Sequence, residues 1–334
     1  MPKLKKFGLI SENVNARDYV THAQIAERRG FDSFWVPEDT AYPGAFSACG
    51  AVAASTNKIK IGTGVVNPFT RHPVLTAMEL ASLDQLSNGR AILGLGGGVK
   101  LWIEEQMGIP YQKPMAALRD AVTIIRRLFA GEALEYQGKV LRAGAGIRFN
   151  LKPQRAQVPI MLGATGPKAL ELAGEIADGM IPVCAGPAGI RKAVEHVRIG
   201  AARVGRSLAD FDFSAAIVTS VADDDRAARE AIKPLLAAFL AWFANQPELS
   251  LFTDYGLTPA DVGEIREARA RGEIRPDFVS EAMIDGLALV GSPERCRAQL
   301  DGLIDAGLTS AVFFIAGGAQ FESELDSLYR NLLQ

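Results

Sequence analysis

The sequence predicts a single α/β domain, a (β/α)8 TIM barrel that spans residues 1–334. Short apolar strands alternate with longer amphipathic helices along nearly the whole chain, and this alternation is typical of a parallel sheet with helical crossovers. Eight strand–helix units in a chain of this length favour a closed barrel over an open, doubly wound sheet. Glycines and polar residues follow several of the strands, as expected where the strand ends share the functional rim of a barrel.

Each predicted element follows from its local residue pattern. The eight strands are short apolar runs, and they cover residues 7–11, 31–36, 59–65, 91–95, 159–162, 179–182, 213–219 and 310–315. The intervening helices are amphipathic, and they cover residues 17–29, 45–55, 73–86 and 115–130 or begin near Pro167, Pro187, Asp225 and Pro293.

Two segments lie outside this repeat. Residues 134–141, with Gln137 and Gly138 at their centre, predict a small surface hairpin. Residues 245–283 fit no strand–helix unit and contain short, charged helical pieces. We interpret them as an insertion on one end of the barrel, before the last β/α unit.

The charge balance, the cysteine spacing and the apolar stretches of the chain restrict the kinds of partner that the protein is expected to bind. The formal net charge is −2, and Lys and Arg are interleaved with Asp and Glu, so no nucleic-acid surface is expected. Cys49, Cys184 and Cys296 lie far apart without CxxC spacing, which favours a reduced, cytoplasmic chain over a disulfide framework. The pattern shows neither a secretory signal nor an apolar stretch of the roughly 20 residues that a membrane span needs. The expected partner is a small-molecule substrate.

The segment of residues 63–73 is the most informative stretch of the chain. It reads TGVVNPFTRHP, so a buried strand runs into a turn that contains prolines, which cannot continue a sheet ladder. The pattern indicates a β-bulge that turns the backbone of Gly64, Val65, Val66 and Asn67 toward the mouth of the barrel. An ordinary strand-to-helix loop is the alternative.

A second glycine-rich segment, GLGGG at residues 94–98, ends the fourth strand. Its spacing is not the GxGxxG of dinucleotide-binding folds, because Val99 occupies the last position. The backbone of Gly96 and Gly97 can still approach a ligand closely, so both are candidate ligand contacts. A flexible turn is the alternative.

The segment GATGPK follows the fifth strand and opens a helix. Free backbone N–H groups and the helix dipole make such a terminus an anion site, formed here by Gly163, Ala164, Thr165 and Gly166. Pro167 is well suited to the first helical turn. Simple N-capping by Thr165 is the alternative.

Acidic side chains follow the first two strands. Glu12 comes after the first strand, and Glu38 and Asp39 come after the second. A carboxyl on this rim, desolvated beside a flat apolar ring, has a raised pKa and can donate a proton. Glu12 and Asp39 are therefore the candidate catalytic residues, and Glu38 is a candidate cofactor contact. The alternative is that these carboxylates are solvated charges in surface loops. The three histidines do not cluster in the sequence, so no metal site is expected.

Together these segments resemble the 5,10-methylenetetrahydromethanopterin reductases, a deazaflavin-dependent branch of the luciferase-like oxidoreductase superfamily. The matching pieces occur in the family's order, and they are TGVVNPFTRHP, LDQLSNGR followed by GLGGG, AIKP, YGL and GSPE. The resemblance implies a non-prolyl cis peptide bond between Gly64 and Val65, in a bulge that supports the cofactor ring and bends it. It also implies that the GATGPK loop holds the phosphate of the cofactor tail, and that the chain forms a homodimer or homotetramer.

The resemblance implies an oxidoreductase that transfers a hydride between coenzyme F420 and a small electrophilic substrate, such as a methylene-tetrahydropterin or folate. Three departures concern the substrate more than the cofactor. Ile10 lies near the position at which the methanopterin reductases have a glutamate. Asp39 occupies a position at which related enzymes often have a histidine. Val99 occupies the position of an acidic residue in the relatives that act on sugar phosphates. An FMN-dependent monooxygenase of the same superfamily is the alternative, and a non-catalytic barrel that acts as a binding module is the alternative from another class.

Overall fold

The computed structural model describes residues 6–11, 15–39, 42–183, 186–244, 257–315 and 321–333. Its strands are β1 (Lys6–Ser11), β2 (Ser33–Val36), β3 (Lys60–Thr63), β4 (Ala91–Gly96), β5 (Leu134–Gln137), β6 (Arg142–Ile147), β7 (Ile160–Gly163), β8 (Gly179–Met180), β9 (Asp212–Val221), β10 (Ala288–Gly291) and β11 (Ser310–Ile315). Its α-helices are α1 (Ala16–Arg28), α2 (Ala45–Ser55), α3 (Pro73–Leu86), α4 (Pro114–Phe129), α5 (Pro167–Ile176), α6 (Pro187–Arg203), α7 (Asp225–Phe243), α8 (Pro259–Ala270), α9 (Glu281–Leu287), α10 (Pro293–Asp305) and α11 (Phe321–Leu328). Short π-helices occur at Leu101–Gln106 and Tyr329–Leu333, and a 3₁₀ turn occurs at Pro276–Phe278.

Eight parallel strands close into a barrel. Neighbouring strands pair in the order β1, β2, β3, β4, β7, β8, β9, β11, and β11 pairs back to β1 along its whole length, from Lys6 opposite Ser310 to Ser11 opposite Ile315. The helices surround this sheet, so the predicted (β/α)8 barrel is confirmed. None of the described helices is both long enough and apolar enough to cross a membrane.

One strand, β10, was not predicted from the sequence. It pairs with the outer end of β9, with Ala288 opposite Val218 and Gly291 opposite Val221, and it is not part of the closed barrel. Its four residues follow α9 without a glycine or proline between the two elements, so the local sequence contains no signal for the change from helix to strand. It lies before β11, in the same part of the chain as the insertion.

The predicted hairpin is formed by β5 and β6, and it extends further than expected, to Ile147. It is held on α4 by Asp120, which is 3% exposed. The Asp120 carboxylate accepts hydrogen bonds from the Tyr136 hydroxyl (2.9 Å) and from the N–H groups of Val140 (2.8 Å) and Leu141 (3.0 Å). These bonds satisfy a carboxylate that would otherwise be costly to bury.

Apolar side chains form two layers on opposite faces of the strands. Outward residues such as Leu9 and Phe34 pack under the helices, and inward residues such as Ile10 and Phe314 fill the barrel. The inner layer continues into α7, α8 and α9, where its buried members include Leu236, Leu240, Val262, Ile265 and Met283. The described part of the predicted insertion therefore packs on α7 and β10 and joins the inner layer, while residues 245–256 lie outside the described residues.

A buried histidine lies beside the end of β1. The Nδ1 atom of His22 is 2.9 Å from the Ser11 hydroxyl oxygen, and its imidazole stacks on the ring of Phe321 with centroids 3.4 Å apart. Burial lowers the pKa of His22 to about 4, although the negative charge of Asp18 opposes this shift. The folded protein therefore holds this imidazole in its neutral form near neutral pH.

This burial predicts a pH-dependent stability that a His22→Gln variant lacks. The unfolded histidine binds a proton below a pKa of 6.5, whereas the folded one binds it only below about 4, so its contribution is complete above pH 6.5 and declines as the pH falls. The difference in unfolding free energy between wild type and variant should decrease by about 2 kcal/mol between about pH 7 and about pH 4.5. Urea unfolding of both proteins measures this difference, and a constant value would contradict the assignment.

Candidate active site

A cavity of about 950 Å³ opens at the carboxyl ends of the barrel strands. Its walls come from the loop after β2, the segment after β3, the glycine run after β4, the π-helix and the start of α5. Its deep end is apolar and includes Ile10, Ile181, Phe239 and Phe314. Parallel strands present all their carboxyl ends on one rim, so residues from distant parts of the chain meet here.

The segment after β3 forms the predicted β-bulge. The N–H of Gly64 donates to the Val36 carbonyl (2.8 Å), and the N–H of Val66 donates to the Gly94 carbonyl (3.1 Å). The peptide bond between Gly64 and Val65 is cis, as the resemblance implies. The bulge is therefore hydrogen-bonded on both sides, to β2 and to β4.

Three glycines leave the space into which the Val65 side chain packs. A Cβ atom at Gly96 would lie 2.7 Å from Val65 Cγ2, and one at Gly163 would lie 3.2 Å from both γ carbons. At Gly94 an added Cβ would meet the Thr63 carbonyl oxygen at 1.9 Å. Glycine at positions 94 and 96 is therefore what lets the bulge approach β4, and glycine at position 163 avoids a tight contact from β7.

Ten of the predicted site residues line the cavity. They are Glu38, Asp39, Gly64, Val65, Asn67, Gly96, Gly97, Gly163, Thr165 and Gly166. The Asn67 side chain also orders the loop, because its Oδ1 accepts hydrogen bonds from the N–H groups of Phe69 and Thr70, both at 3.0 Å. The third predicted acidic residue, Glu12, lies outside the described residues.

Val66 and Ala164 were predicted as cofactor contacts, but they do not line the cavity. Their exposed fractions are 0% and 1%, and both pack in the apolar layer between the barrel and its helices. The reason is the alternation of side chains along extended backbone, which directs the neighbours of cavity-facing residues to the opposite face.

The Glu38 carboxylate is held by an arginine. The Nε of Arg71 donates to both carboxylate oxygens at 3.0 Å, and its Nη2 donates to Oε1 at 2.7 Å. Arg71 also pairs with Glu79 at 2.9 Å, and hydrogen bonding to Glu38 raises the pKa of the guanidinium. Glu38 thus anchors the loop after β2 to the bulge loop, and its oxygens are already engaged by Arg71.

The start of α5 retains the properties of an anion site. Its N-cap residue is Gly166, and no side chain caps the helix, so the alternative of N-capping by Thr165 is wrong. Lys168 lines the cavity beside it and has no ion-pair partner among the described residues. Uncapped N–H groups, the helix dipole and a lysine ammonium all favour a negatively charged group here.

The segment between β4 and α4 also lines the cavity, and its contribution was not predicted from the sequence. Trp102, Ile103 and Met107 of the π-helix region line the cavity, as does Tyr111, whose hydroxyl lies 3.4 Å from the Gly98 carbonyl oxygen. Burial raises the pKa of Tyr111. A short π-helix has no α-helical or strand periodicity, so the pattern offered no signal for these residues. The described residues contain no group of three or more His, Cys, Asp or Glu side chains arranged to hold a metal ion.

A Gly94→Ala variant tests the close approach of the bulge to β4. The added methyl would lie 1.9 Å from a backbone oxygen that cannot rotate away, so we expect a loss of about 3 kcal/mol in unfolding free energy. Gly97→Ala is the matched control, because its nearest neighbours would be 3.7 Å away, and it should change stability by less than about 0.5 kcal/mol. Urea unfolding measures both, and equal stabilities would show that the bulge does not depend on Gly94.

Comparison with known proteins places this geometry in a family. The model of the luciferase-like monooxygenase family matches residues 5–310. The chain is 34% identical to the 5,10-methylenetetrahydromethanopterin reductase of Methanolobus tindarius over 87% of this chain and 88% of that protein. It is 32% identical to the F420-dependent glucose-6-phosphate dehydrogenase of Beutenbergia cavernae over 67% of this chain and 70% of that protein. The structure of the coenzyme F420-dependent tetrahydromethanopterin reductase of Methanopyrus kandleri superposes with a TM-score of 0.87, at 27% identity and with 98% of each chain covered. The chain therefore belongs to the luciferase-like monooxygenase family and resembles its deazaflavin-dependent branch.

Proposed function

We propose that this protein is an oxidoreductase that binds coenzyme F420 and transfers a hydride between it and a small electrophilic substrate. The cavity is the observation that carries the proposal, because it combines the Gly64–Val65 bulge, an apolar deep end and an anion site at one edge. Relatives named for different substrates, a glucose 6-phosphate and a tetrahydromethanopterin, are both named as F420-dependent. A shared cofactor with divergent substrates supports F420 more strongly than it supports any one substrate.

The residues present fit a planar ring with a phosphate-bearing tail. Gly97 presents backbone without a side chain, and Gly96 and Gly163 leave room for the Val65 side chain in the cavity wall, so a flat ring can approach the bulge closely. Thr165 and Lys168 stand at the edge where the uncapped start of α5 favours a phosphate. In this proposal Gly64 and Val65 would back the ring, and the GATGPK loop would hold the tail.

The chain's own contribution is to bind, orient and exclude water. When bound, coenzyme F420 supplies a ring carbon that accepts or donates the hydride. Ile10, Ile181, Phe239 and Phe314 keep the deep end of the cavity apolar, which limits competing reactions with water. Asp39 lines the cavity within the electrostatic reach of Arg269, so we propose that it polarises or protonates the substrate. Glu12 remains the second proposed proton donor.

The finer parts of the proposal rest on resemblance and composition. We propose a methylene-tetrahydropterin or folate as the substrate, since the relative from Methanolobus tindarius is a 5,10-methylenetetrahydromethanopterin reductase. We also propose one domain over residues 1–334, a homodimer or homotetramer, and a cytoplasmic location. The continuous inner apolar layer supports the single domain, and the free, buried Cys49 and Cys296 are consistent with a reducing compartment.

Titration of the purified protein with coenzyme F420 and, separately, with FMN tests the cofactor. We expect F420 to bind with a change in its absorbance and fluorescence, and reduced F420 to be reoxidised by methylene-tetrahydrofolate or methylene-tetrahydromethanopterin. Tight binding of FMN without affinity for F420 would replace the proposal with an FMN-dependent monooxygenase. Binding of F420 without turnover of any imine, aldehyde or alcohol would favour a non-catalytic binding module.

A Lys168→Gln variant tests the anion site. Loss of the ammonium should weaken F420 binding about fivefold at low ionic strength, and the effect should shrink as salt screens the exposed charge. Lys139→Gln is the matched control, because Lys139 is also exposed but lies on the β5–β6 turn and does not line the cavity. Equal affinities of the two variants, measured by fluorescence titration, would show that Lys168 does not contact the cofactor tail.

A further inference from the structure

Trp102 lines the cavity, and it has no part in the proposed cofactor contacts or proton transfer. Its backbone is fixed on both sides, because the N–H of Met107 donates to the Trp102 carbonyl (3.0 Å) and the neighbouring Ile103 is 1% exposed. Ile103 packs so closely on the glycine run that a Cβ at Gly98 would lie 2.4 Å from its Cδ1. Trp102 is only partly buried, and it is one of the two aromatic residues that the segment between β4 and α4 contributes to the cavity wall.

Arg269 of α8 covers this indole from the side of the insertion. Its guanidinium carbon lies 5.7 Å from the ring centroid, a distance at which a cation and an aromatic face attract each other. The same guanidinium donates to the Ala241 carbonyl at 2.6 Å, at the end of α7. Burial lowers the pKa of Arg269, and the negative charge of Asp39 opposes that shift. The hydrogen bond to α7 and the charge of Asp39 therefore hold this guanidinium beside the ring.

We propose that Trp102 is a specificity-determining residue that stacks on a planar heterocyclic ring of the substrate, and that Arg269 is the positioning residue that fixes the indole for this contact. A large, rigid ring that is already held in place loses little rotamer freedom when a ligand stacks on it. The inference rests on the proposed function in one respect: the Gly64–Val65 bulge is taken by the cofactor ring, which leaves Trp102 to the substrate.

The proposal gives the insertion a role at the active site. Arg269 reaches Trp102 only because α8 packs its apolar residues Val262 and Ile265 onto the inner layer of the barrel. Arg266, one turn earlier on α8, donates to the Ala244 carbonyl, again at the end of α7, and it contacts no aromatic ring in the described part of the chain. The two arginines thus share the docking of α8 on α7, but only Arg269 also contacts the indole.

Calorimetric titration with pterin, a planar heterocycle without the rest of a substrate, tests the stacking contact. Trp102→Leu should weaken pterin binding about tenfold, whereas Trp102→Phe keeps an aromatic face and should stay within about threefold of wild type. Arg269→Gln should weaken binding about threefold through loss of the cation that fixes the ring. Arg266→Gln, the matched control, should bind pterin as the wild type does.

The same proteins are titrated with coenzyme F420, and we expect all to bind it equally well. The inference is overturned if wild type does not bind pterin, if Trp102→Leu binds it as wild type does, or if Arg266→Gln weakens binding as much as Arg269→Gln. A loss of F420 affinity in Trp102→Leu would assign the indole to the cofactor and would also overturn it. Failure of wild type to bind F420 contradicts the proposed function, and the ranking of the variants with pterin still decides the role of Trp102.

Discussion

The active-site cavity depends on the close approach of the Gly64–Val65 bulge to side-chain-free backbone on two neighbouring strands. Val65 occupies space that side chains at Gly96 and Gly163 would otherwise fill, and Gly94 permits the backbone of β3 to approach β4. TIM barrels normally fill their interior with layers of side chains. Here Gly94, Gly96 and Gly163 make room for the bulge, so that Gly64 and Val65 form part of the cavity wall.

The charged side chains around the cavity are not all paired, so one edge of the cavity is more positive than the rest. Arg71 is paired with Glu38 and Glu79, and Lys100 is paired with Glu104 at 3.2 Å. Within the described part of the chain, Lys168 lines the cavity without an acidic partner. Because it stands beside the uncapped start of α5, positive potential is concentrated at one edge of the cavity, while the deep end is apolar. A ligand with an anionic tail and a less polar ring matches this arrangement.

The helices of the insertion contact both the apolar interior of the barrel and a residue of the cavity wall. These helices pack on α7 and β10 and continue the apolar layer that fills the barrel. Through Arg269 they also reach the π-helix that follows β4. The segment that departs from the eightfold repeat therefore contacts Trp102, a residue that lines the cavity.

Much of this structure was determined by local sequence alone. The starts of α5, α6 and α10 were predicted because each has proline in the first turn, and the bulge was predicted because glycine and prolines interrupt a buried strand. The tertiary structure decided the rest. The alternation of side chains along extended backbone directs Val66 and Ala164 away from the cavity. The packing of α8 places Arg269 beside Trp102, and residues 288–291 form a strand because they pair with β9. Local patterns report the conformation of a few neighbouring residues, whereas these contacts exist only after barrel closure brings distant segments together, and no periodicity in the chain encodes them.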